Sequence, residues 1–146
     1  MRQYLFIIAS ALCLWGTSPA NAQSVKEIQT VENAVKNDGK YALLVRTLQH
    51  LKAAVITGDA LKRKSDKIDF RIVVCGELVK ELSNNDSLKK MVNEASGRGL
   101  KILACGLSVK RLAVDKSRLP ESVSITENGL IYLFGLEESG FKTIAL

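Results

Sequence analysis

Two cysteines stand in the same local setting. "IVVCGELV" carries Cys75 and "ILACGLSV" carries Cys105; each is an apolar run, a cysteine, a glycine and a helix start. The reactive form of cysteine is the thiolate. Unpaired N–H groups and the dipole at a helix N-terminus favour an anion. Cys105, just ahead of a helix that starts near Gly106, is therefore expected to have a lowered pKa. Gly106 has no side chain to keep a bulky sulfur off the backbone. Lys110 and Arg111 bring positive charge within reach. Such a thiolate could take up sulfur as a persulfide or undergo disulfide exchange. Two other readings stand beside it. Cysteine is among the most buried residue types, so both thiols could be inert wall residues. A Cys75–Cys105 disulfide is the third reading. It requires neighbouring strands with Cα atoms ~4.4–6.8 Å apart.

Other chemistries fit the sequence poorly. The chain has one histidine and three cysteines, too few for an ordinary four-ligand zinc site once Cys13 is set aside. His50 is the one partner for a Cys-His pair. It falls in the first turn after the first strand, at the correct sheet edge, and could reach the cysteine, but an exposed histidine on the helix surface is the favoured reading. Glu77 and Glu81 are spaced as one solvated helix face. Ser108 lies within the helix after Cys105 and could orient a ligand or bond a carbonyl. The glycine fingerprints of nucleotide-binding loops are absent, and no cofactor is implied.

The elements that must position these residues follow from periodicity. Ser24 to Glu27 has the Ser-x-x-Glu form of a helix start. Val25, Ile28, Val31 and Val35 follow at helical spacing, with a stop at Asn37-Asp38-Gly39. This opening helix is expected to be peripheral, on a partner subunit or at the domain's edge. Tyr41–Arg46 and Ile68–Cys75 are short, nearly continuous apolar runs, as in strands buried on both faces. Between them Leu51, Ala54, Val55, Gly58 and Leu61 form one stripe, small enough for a helix close against a sheet. A helix from Gly76 pauses at Ser83–Asp86, resumes, and stops at Gly97-Arg98-Gly99. "LKILAC" is a third strand and "SVSIT" a fourth. Asn128–Glu138 is an apolar helix and "FKTIAL" a fifth strand. Alternating strands and helices predict a parallel sheet with helices on both faces and right-handed crossovers. Ligands of such sheets bind outside the C-terminal strand ends, where both cysteines fall.

The chain has 146 residues, a net charge of +6 and scattered cations, which suits one domain with a soluble basic surface. Without a basic block or interleaved aromatics, nucleic acid is not an expected partner. Residues 1–22 read as a cleavable signal peptide. Arg2 is followed by an apolar run of roughly a dozen residues, short of the ~20 needed to span a bilayer. A breaking "GTSP" and an Ala20-Asn21-Ala22 cleavage pattern follow. The expected organisation is a leader (1–22), an amphipathic helix (23–39) and an α/β domain (40–146). Cys13 leaves with the leader, and the rest is expected to be periplasmic with no stable membrane insertion. Disulfides can form there.

"RIVVCGELVKEL", "GLKILACGLSVKRLAV" and "LPESVSITENGLIYLFGLEESGFKTIAL" together resemble the DsrE/DsrF-like sulfur-relay family, over roughly Lys40 to Leu146. The likeness rests on element order, the Ala-Cys-Gly strand end, the Leu-Pro loop and the final Gly-aromatic-x-x-Ile strand. It implies a five-stranded parallel sheet in a three-layer α/β/α sandwich. It also implies assembly as trimers or hexamers. The position matching Cys105 would carry sulfur as a persulfide, exchanged with a donor or acceptor protein or a small thiol. It assigns no such role to Cys75 or His50. An exported chain departs from the cytoplasmic members of the family and has no transfer RNA to thiolate. The alternative is a binding or assembly protein of the same fold with structural or paired cysteines.

Overall fold

The computed structural model describes residues 24–146; the expected leader, residues 1–22 with Cys13, lies outside them. Helix α1 (Val25–Asn33) is capped by Ser24, whose hydroxyl accepts the Glu27 N–H at 3.3 Å. This is half of the expected capping box. Residues Val35–Leu146 form a separate unit.

That unit is an all-parallel five-stranded sheet. Its strands are β1 (Lys40–Val45), β2 (Asp69–Val74), β3 (Lys101–Cys105), β4 (Ser124–Thr126) and β5 (Lys142–Ala145), ordered β4-β3-β2-β1-β5. Its helices are α2 (Leu48–Lys64), α3 (Glu77–Asn84), α4 (Asp86–Gly97), α5 (Gly106–Arg111) and α6 (Gly129–Glu138). The expected pause at Ser83–Asp86 is a change of helix: Asn85 ends α3 and, through its side chain, caps α4 by accepting the Leu88 N–H.

Side-chain alternation along each strand divides the core. Val45, Ile72, Val74, Ile102 and Ala104 point to one face, packed by Leu51 and Ala54 of α2, Leu78 of α3, Val92 of α4 and Val109 of α5. Gly58 lets α2 down onto this face; a Cβ there would stand 2.7 Å from Leu100 and 2.8 Å from Phe70. Ala42, Leu44, Val73, Cys75 and Cys105 point to the other face, where Leu133 and Leu136 of α6 cover them. The sheet is thus the middle layer of a three-layer sandwich. The chain steps from β1 to β4 using helices on the first face and returns to β5 by α6 on the second. One hand of crossover requires this reversal of face when the direction reverses. Among the described residues, no helix is long and apolar enough to cross a membrane.

Candidate functional site

The register builds the site. Val45 pairs with Val74, and Val74 with Ala104. Continuing each strand by one residue brings Arg46, Cys75 and Cys105 into a single row at the C-terminal sheet edge. Cys105 in turn pairs with Thr126 of β4. The three side chains share the α6 face because side chains alternate. The ladder itself reaches Cys75, whose N–H donates to Val45 O at 2.9 Å. Cys75 and Cys105 are therefore neighbours on adjacent strands, which meets the condition that sequence alone left open. Both are free thiols.

Each cysteine needs the glycine after it, but for a different reason. Gly76 has φ +66° and ψ −150°, a region closed to residues with a Cβ. Its N–H donates to the Ser108 hydroxyl at 2.9 Å, tying the β2–α3 corner to α5. Gly106 has an ordinary φ, and a Cβ there would run into the Thr126 carbonyl oxygen and stand 2.9 Å from Glu127 O. The missing side chain thus admits the backbone of the β4–α6 connection. The sequence-based expectation that it admits a partner's sulfur is replaced by this packing role.

That connection delivers the main donor to Cys105. Asn128 caps α6 by accepting the Leu130 N–H at 3.0 Å. Gly129, the first helical residue, donates its N–H to Cys105 Sγ at 3.3 Å. This N–H has no partner within its own helix, so the sulfur satisfies it. A Cβ on Gly129 would stand 3.0 Å from Cys75 Sγ and 3.1 Å from Cys105 Cβ; the glycine sits against both thiols.

The two sulfurs are pushed in opposite directions. Burial raises the Cys105 thiol, but the Gly129 N–H, the backbone and hydroxyl of Ser108 and the Cys75 thiol outweigh it, leaving it below its ordinary value. The Cys105 side chain makes no capping hydrogen bond to its own helix α5, and Gly129 is the largest of the lowering influences. Cys75 is pushed up to about 12 by burial, then by the charge and hydrogen bond of Cys105, against a lowering by Arg46. Cys105 is thus the more acidic of the two thiols, and Cys75 is the one that keeps its proton.

Both thiols open onto a cavity of about 740 Å³ at the sheet edge, within the size range of small-molecule sites. Its walls include Leu44, Leu107 and Leu130, and Arg46, Lys110 and Arg111 supply positive charge. Cys105, Cys75 and Lys110 are thus brought together. Gly106 lies just outside the cavity lining. His50 is not brought in. Its helix packs on the opposite face of the sheet, its N–H donates to the Thr47 hydroxyl at 3.2 Å, and its Nδ1 is buried without a partner. Glu77 and Glu81 do not line the cavity either. Sequence reasoning missed Gly129 and Arg46. The Asn128-Gly129 pair at a helix start was the readable signal for the first. Arg46 follows from parity, two residues beyond Leu44, but only once the register is known.

No family model and no curated protein matches the chain. Two of the solved structures that share its fold are proteins of unknown function. One is a protein of unknown function, MTH1491, from Methanobacterium thermoautotrophicum, with TM-score 0.67 and 16% identity, covering 75% of this chain and 100% of that one. The other is a conserved protein of unknown function, BT1422, from Bacteroides thetaiotaomicron, with TM-score 0.62 and 18% identity, covering 78% and 100%. These likenesses establish the three-layer α/β architecture as a recurring one and carry no activity with them.

Proposed function

We propose that the protein is an exported sulfur or thiol carrier of the DsrE/DsrF-like kind, with Cys105 as its nucleophile. The observation that carries this reading is the Gly129 N–H aimed at Cys105 Sγ inside a cavity lined by cations. A thiolate held by a fixed donor attacks a sulfane sulfur without first losing a proton. Arg46, Lys110 and Arg111 suit an anionic donor such as a hydropolysulfide, or the anionic part of a small thiol. Sulfur then passes to an acceptor protein or small thiol. The signal-peptide pattern read in residues 1–22 supports a periplasmic setting for this exchange. Assembly as a trimer or hexamer belongs to the same proposal. Leu130, Ile131 and Phe134 of α6 are exposed on a face that one helix covers alone, and apolar patches of this kind support subunit contacts.

The test uses the Cys75→Ser variant, which leaves a single thiol in the mature chain. Given inorganic polysulfide, it should gain one sulfur atom, mapped to the Cys105 peptide. A chain that takes up no sulfur, or takes it up elsewhere, sinks the carrier reading.

A further inference from the structure

Cys75 is a buried nucleophilic group that the carrier function leaves idle, although it lies beside Cys105 in the same row and on the same face. Neighbouring strands stand ~4.8 Å apart, inside the ~4.4–6.8 Å span that a disulfide bridges. Both side chains meet Gly129, and both line one cavity.

From this placement, and resting on the persulfide reading of Cys105, we infer that Cys75 is a resolving thiol, so that the protein releases delivered sulfur as hydrosulfide and closes a Cys75–Cys105 disulfide. The substrate class is a sulfane-sulfur anion, and the product is sulfide.

The step balances. Sulfur on Cys105 gives Cys105–S–S⁻, whose charge sits on the outer atom, out in the cavity with Arg46 and Lys110. The Cys75 thiol gives its proton to that outer sulfur. Its thiolate then attacks the inner sulfur, the S–S bond to the outer atom breaks, and HS⁻ departs. The sulfane sulfur is reduced by two electrons, and the two cysteines are oxidised by two. A thiol reductant, a dithiol protein or two small thiols, returns the pair to the free state by exchange.

The unequal thiols suit this order of events. While Cys105 is a thiolate, its charge and hydrogen bond hold the proton on Cys75. Cys105 is then the first of the pair to ionise, and Cys75 keeps its proton. Once Cys105 is sulfurated, that charge has moved outward and the restraint on Cys75 relaxes, while the lowering by Arg46 stays.

The experiment compares reduced full-length mature protein with Cys75→Ser, each given inorganic polysulfide without oxygen and then desalted. Wild type is expected to release one hydrosulfide per chain and to end two hydrogens lighter than the reduced protein, with a Cys75–Cys105 peptide pair. Cys75→Ser is expected to hold its sulfur and release none. Cys75→Ala repeats the comparison if the serine does not fold. Equal retention of sulfur by wild type and variant overturns the inference and leaves the carrier reading standing, as does a disulfide joining two chains. Failure of the variants to take up any sulfur overturns both.

Discussion

The N–H of Gly129 donates to Cys105 Sγ at 3.3 Å, joining the first turn of α6 to the end of β3 across 24 residues of sequence. The donor belongs to a helix that starts after the next strand, so the sulfur's environment is tertiary. The short α5, which follows Cys105 directly, contributes less than its position suggests.

Gly129→Ala should disturb this contact. The new methyl would stand 3.0 Å from both Cys75 Sγ and Val73 Cγ1, closer than packed carbon and sulfur tolerate. Overpacking of this kind costs about 1–3 kcal/mol, read by chemical denaturation. The displaced N–H should also raise the pH at which Cys105 becomes reactive. Unchanged stability and unchanged reactivity would remove Gly129 from the site.

Ser108→Ala tests the link between the two cysteine corners. The hydroxyl accepts the Gly76 N–H at 2.9 Å and favours the Cys105 thiolate. Its loss leaves the Gly76 N–H without that partner, at a cost of about 1–3 kcal/mol. The reactivity midpoint of Cys105 should rise, by less than in Gly129→Ala.

The two glycines after the cysteines should fail differently. Gly76→Ala meets no atom within 4 Å, but places a Cβ at φ +66°; the strain is about 1–3 kcal/mol. Gly106→Ala has no such strain and instead collides with the Thr126 carbonyl oxygen. It must push back the β4–α6 connection that carries Gly129. Gly106→Ala should therefore shift Cys105 reactivity as well as stability. Equal effects of both variants on the thiol would contradict this division.

Asp69 gives a pH-dependent test away from the cavity. Its carboxylate accepts from Arg71 at 2.8 and 3.2 Å and from Lys101 at 3.0 Å. Partial burial pushes the carboxyl up, but these hydrogen bonds more than reverse it, so it titrates below its ordinary range. A depressed carboxylate adds stability that is fully present above its unfolded pKa and is lost as pH falls through the lowered one. Asp69→Asn should cost about 1 kcal/mol near neutral pH, with the difference shrinking in acid. A constant difference across pH would assign the loss to packing alone.

The architecture was legible because the signals are local. Tyr41–Arg46 and Ile68–Cys75 bound their strands to within a residue or two, and Asn37-Asp38-Gly39 and Gly97-Arg98-Gly99 mark real chain turns. The placement of Cys105 at a helix start was legible for the same reason. Strand order was not, because nothing in the apolar runs says which strand lies beside which. With it went the pairing of Cys75 with Cys105 and the alignment of Arg46 beside them. His50 shows the same limit: its sequence position puts it at the correct edge, but the side of the sheet on which α2 packs takes it away from the thiols.

The inequality of the two thiols is the centre of the account, and the pH dependence of alkylation by iodoacetamide, with each cysteine followed by peptide mass, tests it most directly. Cys105 should label first, with a midpoint below that of an ordinary cysteine, and Cys75 should stay unlabelled through neutral pH. Simultaneous labelling at the ordinary midpoint, or labelling of Cys75 ahead of Cys105, would contradict it.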